Sequence, residues 1–226
     1  PFLLFMAIGP KLKWIKSNLE DKNYLISLLI ISILLSLLIV KNFNLNILIN
    51  TILISSALYL FFITLRDFVI KKYNNISQNI AHFGFSLLIL SILFNNLFST
   101  EVITNLRVGE TFESPKVKIV FESINQKTEK NYNSIIGNFS IENSKGELEK
   151  LSPELRIYNQ PNIVTSEADI KTTLISDKFI VINIVQNQDY FNVRYQVKPF
   201  MLWIWMSVLL ISFGGIISLL KKEYEK

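Results

Sequence analysis

Residues 79–98 read NIAHFGFSLLILSILFNNLF, and this apolar stretch decides how the rest of the chain is interpreted. A helix of about 20 apolar residues crosses a hydrocarbon core ~30 Å thick. His82, the only histidine of the chain, lies near the start of the stretch. A titratable ring costs free energy at membrane depth, so an intramembrane histidine is a candidate functional residue. We predict a transmembrane helix over 79–98, with His82 as a metal ligand, a haem ligand or a proton carrier.

Two other interpretations of His82 stay open. An imidazole can simply hydrogen-bond to Ser, Thr or Asn on a neighbouring helix. A metal-free proton relay is less well supported, because a relay needs several titratable groups and the apolar runs, as the sequence bounds them, contain no Asp or Glu.

The composition is typical of a membrane protein: 50% hydrophobic residues, 18% charged residues and a mean hydropathy of +0.36. The net charge of +5 does not indicate nucleic-acid binding, because about half of the Lys and Arg residues flank the apolar runs and are expected to contact a lipid bilayer. The absence of cysteine excludes disulfides and thiolate metal sites within the chain.

The apolar runs predict a transmembrane α-helical bundle of about four full spans after a partial first one. The first residue is not methionine, so we expect a carboxy-terminal piece of a longer protein, from a truncated sequence or a split gene. Gly9-Pro10 ends the partial helix, RDFVIKKYNN after Leu65 is a loop, and Pro199 suits the first helical position. The predicted helices are 1–9, 24–40, 47–65, 79–98 and 199–220, followed by a tail at 221–226.

Residues 99–198 have the alternation of β-strands and are long enough for a separate domain. Val117, Ile119 and Phe121 are apolar at every second position, and 191–197 repeats the pattern. The continuous apolar run FIVINIV at 179–185 predicts a strand buried on both faces. Turns are expected at 144–146, 159–161 and 187–189. The predicted fold is therefore a helical membrane bundle with a β-rich domain inserted before the last helix.

Basic residues predict the orientation. Four lie in 11–22, three in 66–72 and three after Leu220, whereas the loop between the second and third runs contains Lys41 alone. By the positive-inside rule the three richer segments are cytoplasmic, so 99–198 lies on the other side. The expected location is a bacterial inner membrane with this domain periplasmic; a mitochondrial inner membrane is the alternative.

Six strings in this order resemble the CcmF family, the large membrane subunit of the cytochrome c haem lyase. They are IGP followed by Trp14 (8–14), AHFG (81–84), PELRIY (153–158), TSEADI (165–170), VRYQVKPFMLWIW (193–205) and FGGIISLL (213–220). The resemblance runs along the chain but covers only about the carboxy-terminal third of the family.

This resemblance implies that His82 is an axial ligand of a b-type haem. It also implies partners: the haem chaperone CcmE, CcmH-type proteins, apocytochrome c and the missing amino-terminal part of CcmF. The family's WWD segment and its other three histidines are absent here, so this chain cannot complete a bis-histidine site, and the partner histidine would lie on the missing amino-terminal part or on a separate polypeptide. Met6, Met201 and Met206 are able to replace it by chemistry alone.

The expected function is haem handling in cytochrome c maturation, with no activity from this chain by itself. The alternative is a non-catalytic membrane scaffold or transporter-like permease subunit whose extracytoplasmic domain binds a partner.

Overall fold

The computed structural model describes residues 2–9, 22–70, 76–143 and 146–224. The described helices are α1 (Phe2–Ile8), α2 (Lys22–Asn42), α3 (Ile47–Ile70), α4 (Ile76–Phe98) and α5 (Met201–Tyr224). Four helical segments are long and apolar enough to cross a membrane: Lys22–Asn42, Ile47–Ile70, Ile76–Phe98 and Met201–Leu220. Helices of this length and apolar character, counted among the described residues alone, are those of a membrane protein. The predictions for Pro10, Trp14, Lys71, Lys72 and residues 144–145 lie outside the described residues.

Helix α3 is longer than the sequence pattern predicted. Residues 66–70 belong to the helix and not to the expected loop. The Arg66 guanidinium lies over the Tyr24 ring of α2, 3.9 Å from its centroid. Such a cation–π contact is a favourable interaction for the Arg66 charge. The helix continues past the last purely apolar turn and includes Asp67.

The prediction for Pro199 was wrong. Pro199 ends a strand, where it pairs with Ser176, and α5 begins only at Met201. Phe200 between them has a left-handed backbone, with φ of 60°. A proline fits the end of a strand because it has no N–H to donate to the ladder.

The structure describes ten strands, in chain order, between α4 and α5. Their bounds are β1 (Thr100–Leu106), β2 (Thr111–Glu113), β3 (Val117–Thr128), β4 (Tyr132–Asn143), β5 (Leu148–Leu151), β6 (Glu154–Tyr158), β7 (Ile163–Glu167), β8 (Asp169–Thr172), β9 (Ser176–Ile184) and β10 (Phe191–Pro199). They form a four-stranded sheet in the order β1-β10-β9-β8 and a six-stranded sheet in the order β2-β3-β4-β6-β7, with β5 paired to β4. All pairings are antiparallel. The β-rich prediction is confirmed as a β-sandwich.

Apolar side chains from both sheets fill the sandwich. Val117, Ile119 and Phe121 are buried, as their alternation predicted, and Phe121 stacks on Phe139 at 4.3 Å between ring centroids. The expectation for 179–185 was only half right: Ile180 and Ile182 are fully buried, whereas Phe179 and Val181, on the other face of β9, are only partly buried. A strand of a sandwich has only one face toward the core, so the apolar run does not give two buried faces.

The chain divides into two compact units. One contains Pro1–Leu97 and Trp203–Lys226, and holds the helices; the other, Phe98–Leu202, holds the β-sandwich.

Candidate functional site

His82 lies in the second turn of α4 and is half-buried. It lines a cavity of about 60 Å³ between three helices. The other residues around the cavity are Met6 and Ala7 of α1, Ile63, Thr64 and Asp67 of α3, and Gln78 and Asn79 of α4. The sequence isolates His82 among apolar residues, but the fold surrounds it with polar groups from two helices.

Helical periodicity explains which residues meet there. Gln78 and His82 are four residues apart, so their side chains lie on the same face of α4. Ile63 and Asp67 have the same spacing on α3. One turn of α3 and one turn of α4 thus line the cavity from two sides.

The polar neighbours of the cavity also bond to other groups. The hydroxyls of Thr64 and Ser86 lie 2.7 Å apart and connect α3 to α4. The Asn79 amide donates to the Asp67 carbonyl oxygen at 3.2 Å. Helix-to-helix polar contacts are therefore made by Thr, Ser and Asn side chains, and they do not require the imidazole.

Two glycines bring α5 close to α4 on the neighbouring face. A Cβ on Gly214 would lie 2.8 Å from the Ser77 carbonyl oxygen and 2.9 Å from the Ala81 nitrogen. A Cβ on Gly84 would lie 3.0 Å from Ile211. Close packing against α4 thus occurs at Gly214 but not at the adjacent Gly215, where a Cβ would meet no atom within 4 Å. Since Ala81 precedes His82, this contact also supports the helical turn that carries the imidazole.

Asp67 is the residue that the sequence analysis missed. The predicted run stopped at Leu65, and so no acidic residue was placed within a membrane helix. In the structure Asp67 belongs to α3 and lines the same cavity as His82. The apolar residues Phe68, Val69 and Ile70 continue the helical pattern beyond the charged pair Arg66-Asp67, and they could have predicted the longer helix.

A haem at His82 would find only part of its site in this chain. His82 offers one axial ligand, and the Met6 thioether lines the same cavity. A cavity of about 60 Å³ is far smaller than the roughly 300–1,000 Å³ of typical ligand pockets. Among the described residues there is no cluster of three or more His, Cys, Asp or Glu side chains suited to a metal ion. The residues fit one axial ligand, but they do not enclose a porphyrin.

The β-sandwich contains a larger groove, of about 580 Å³. Glu101, Lys178 and Tyr195 are among the residues that line it. Burial raises the pKa of Tyr195 to about 12, and the negative charge of Glu149 adds to the effect. A hydrogen bond from the Gln196 amide, together with Arg194, lowers the pKa of Glu101 below its usual range. The groove therefore contains a neutral phenol and an ionised carboxylate at pH 7.

Residues 97–199 match the family model for the CcmF C-terminal beta-sandwich. The cytochrome c-type biogenesis protein CcmF of Escherichia coli is 23% identical over 235 residues, which cover 100% of this chain and 36% of that protein. The cytochrome c-type biogenesis protein ccl1 of Rhodobacter capsulatus is 30% identical over 145 residues, which cover 64% of this chain and 22% of that protein.

A solved structure of the cytochrome c heme lyase CcmF has the same fold. Its TM-score is 0.69 at 19% identity, and the match covers 95% of this chain and 37% of that structure. The chain thus spans about a third of the length of the relatives that align along all of it. The chain is therefore similar along its length to part of CcmF, and its residues 97–199 match the CcmF C-terminal β-sandwich.

Proposed function

We propose that this chain handles haem in cytochrome c maturation, as the carboxy-terminal part of a CcmF-type haem lyase subunit. The support is that curated relatives named as cytochrome c-type biogenesis proteins align along all of it. The observation that carries the site is the position of His82, the only histidine of the chain, at a polar cavity between α1, α3 and α4.

In this proposal the His82 imidazole is one axial ligand of a b-type haem. The close approach of Gly214 to Ala81 holds the turn of α4 that precedes His82 against α5. The second ligand and most of the porphyrin environment come from a segment outside this chain, because the cavity beside His82 is small. A b-type haem bound there supplies one-electron donor chemistry, with a potential that depends on the axial ligands.

The proposed location is a bacterial inner membrane, with residues 99–198 periplasmic. Its support is the distribution of basic residues between the connecting segments. The proposed partners of the sandwich are CcmE, CcmH-type proteins and apocytochrome c, and the amino-terminal part of CcmF completes the membrane unit.

The test is co-expression of this chain with the amino-terminal two thirds of a CcmF protein, followed by reduced-minus-oxidised spectroscopy of the purified complex. We expect a bis-imidazole b-type spectrum that His82→Ala removes. Gln78→Ala is the matched control, because Gln78 lines the same cavity one turn away and is expected to leave the spectrum intact. An unchanged spectrum in His82→Ala would exclude the ligand role. Loss in Met6→Leu, with His82→Ala unaffected, would assign the ligand to Met6.

A non-catalytic scaffold or permease-like subunit is the second candidate. The small cavity beside His82 favours it, since a scaffold needs no haem pocket. The same purified complex would then lack Soret absorbance but would still retain a membrane partner in pull-down experiments.

A further inference from the structure

The turn between β8 and β9 exposes two large apolar side chains. Leu174 is 71% exposed and Ile175 is 70% exposed. Turns between strands usually carry polar residues or glycine. We therefore expect an apolar environment around these two adjacent aliphatic side chains.

Hydrogen bonds within the turn fix its backbone, and so they also fix where Leu174 and Ile175 are attached. The Thr173 hydroxyl donates to the Ser176 carbonyl oxygen at 2.8 Å and accepts from the Ser176 N–H at 3.0 Å. It also accepts from the Ile175 N–H at 3.3 Å. The Thr173 N–H bonds to the same Ser176 oxygen at 3.0 Å.

The turn is also bonded to the residue that precedes α5. The Phe200 N–H donates to the Ile175 carbonyl oxygen at 2.7 Å. Phe200 is followed directly by Met201, the first residue of a helix long and apolar enough to cross a membrane. If α5 enters a bilayer at Met201, then the Ile175 carbonyl oxygen is bonded to the residue immediately before the point of entry.

The strand register places the end of α4 and the start of α5 at the same end of the sandwich as this turn. Thr100, which begins β1 shortly after α4, pairs with Val197 of β10. Pro199 pairs with Ser176, which follows the turn. Trp203 and Trp205, which soon follow in α5, are of the type enriched at membrane interfaces.

We propose that the turn formed by Thr173, Leu174 and Ile175 is a membrane-interface anchor, which inserts Leu174 and Ile175 into the lipid bilayer beside the start of α5. Lipid is the occupant that the geometry favours, because the turn is hydrogen-bonded to Phe200, which directly precedes the membrane-spanning length of α5. The inference rests on α5 crossing a membrane, and it is independent of haem binding at His82.

The absence of native cysteine makes the test direct. The full chain carrying Leu174→Cys is labelled with an environment-sensitive fluorophore and reconstituted into phosphatidylcholine vesicles. Val108→Cys is the matched control: it follows β1 at the opposite end of the strand, is 48% exposed, and lies about 20 Å from Thr100 given the seven residues of β1. Leu209→Cys, on α5 and 63% exposed, is the positive control for lipid contact.

We expect nitroxide-labelled lipid to quench the labels at 174 and 209, and aqueous iodide to quench the label at 108. The emission at 174 should shift to shorter wavelength relative to 108. Iodide quenching at 174 equal to that at 108 would overturn the proposal. Protection at 174 from both quenchers would also overturn it, because it would mean that protein covers the turn. A label at 209 that escapes the lipid quencher would remove the premise and overturn the proposal as well.

Discussion

Glu149 of β5 accepts a hydrogen bond from the Lys178 ammonium of β9 at 2.7 Å, and this ion pair joins the two sheets of the sandwich. The two side chains are only 13% and 15% exposed. Lys171 of β8 reaches the same carboxylate at 3.6 Å from a more exposed position. One carboxylate therefore forms ion pairs with two lysines of the opposite sheet.

Glu149→Gln should destabilise the sandwich by about 2–4 kcal/mol, because it leaves the Lys178 ammonium largely buried without a counter-charge. Hydrogen exchange of peptides from β9 and β10, in detergent micelles, measures the effect. Lys171→Gln is the matched control and should cost less than about 1 kcal/mol, since this lysine is exposed. Equal losses in the two variants would contradict the assigned role of the buried pair.

The stability of the sandwich should fall between pH 10 and pH 12 in a way that depends on Tyr195. Burial raises the pKa of this phenol to about 12, so the folded state favours its neutral form. The resulting stabilisation is complete below the unfolded pKa near 10 and disappears as the pH rises through the folded value. Two pKa units correspond to at most about 2.7 kcal/mol.

Tyr195→Phe removes this titration and should flatten the alkaline part of the profile. The measurement is urea unfolding of the full chain in detergent, followed by near-ultraviolet circular dichroism from pH 8 to pH 12. Wild-type and variant curves that remain parallel over this range would show that ionisation of Tyr195 does not affect folding.

The two adjacent glycines of α5 should respond differently to the same substitution. Gly214→Ala places a methyl group 2.8 Å from the Ser77 carbonyl oxygen, so α4 and α5 must separate. The expected cost is about 1–3 kcal/mol, as for other overpacked contacts. Gly215→Ala meets open space and should be neutral or stabilising by up to about 1 kcal/mol through helix propensity.

Titration with sodium dodecyl sulfate in mixed micelles distinguishes the two variants, with tryptophan fluorescence from Trp203 and Trp205 of α5 as the signal. The helical content of each variant before titration is the control for folding. Destabilisation by Gly215→Ala as large as that by Gly214→Ala would mean that α4 does not pack at Gly214.

Local sequence patterns were sufficient for the fold class. A run of apolar residues near 20 in length satisfies its backbone hydrogen bonds internally only as a helix, so α2, α3, α4 and α5 were predictable in kind. The alternation of Val117, Ile119 and Phe121 was equally informative, because side chains of a strand point alternately to opposite faces.

The same patterns failed where a residue's role depends on a distant partner. The charged pair Arg66-Asp67 was predicted to lie in a loop. In the structure both residues are helical, and the Arg66 guanidinium contacts the Tyr24 ring of another helix. Pro199 resembled a helix start, but its neighbour across the sheet is Ser176. The apolar run at 179–185 could not reveal that only one of its faces would meet a second sheet.

By itself, then, the sequence determined the membrane helices, the inserted β-domain and the choice of His82 as the candidate ligand. These features depend on composition and on spacing along the chain, which are local. Only the tertiary structure decided that Met6 and Asp67 share a cavity with His82, and that Gly214 packs where Gly215 does not. The physical reason is that such contacts depend on the rotation and distance of whole helices, which the packing of all their side chains sets together.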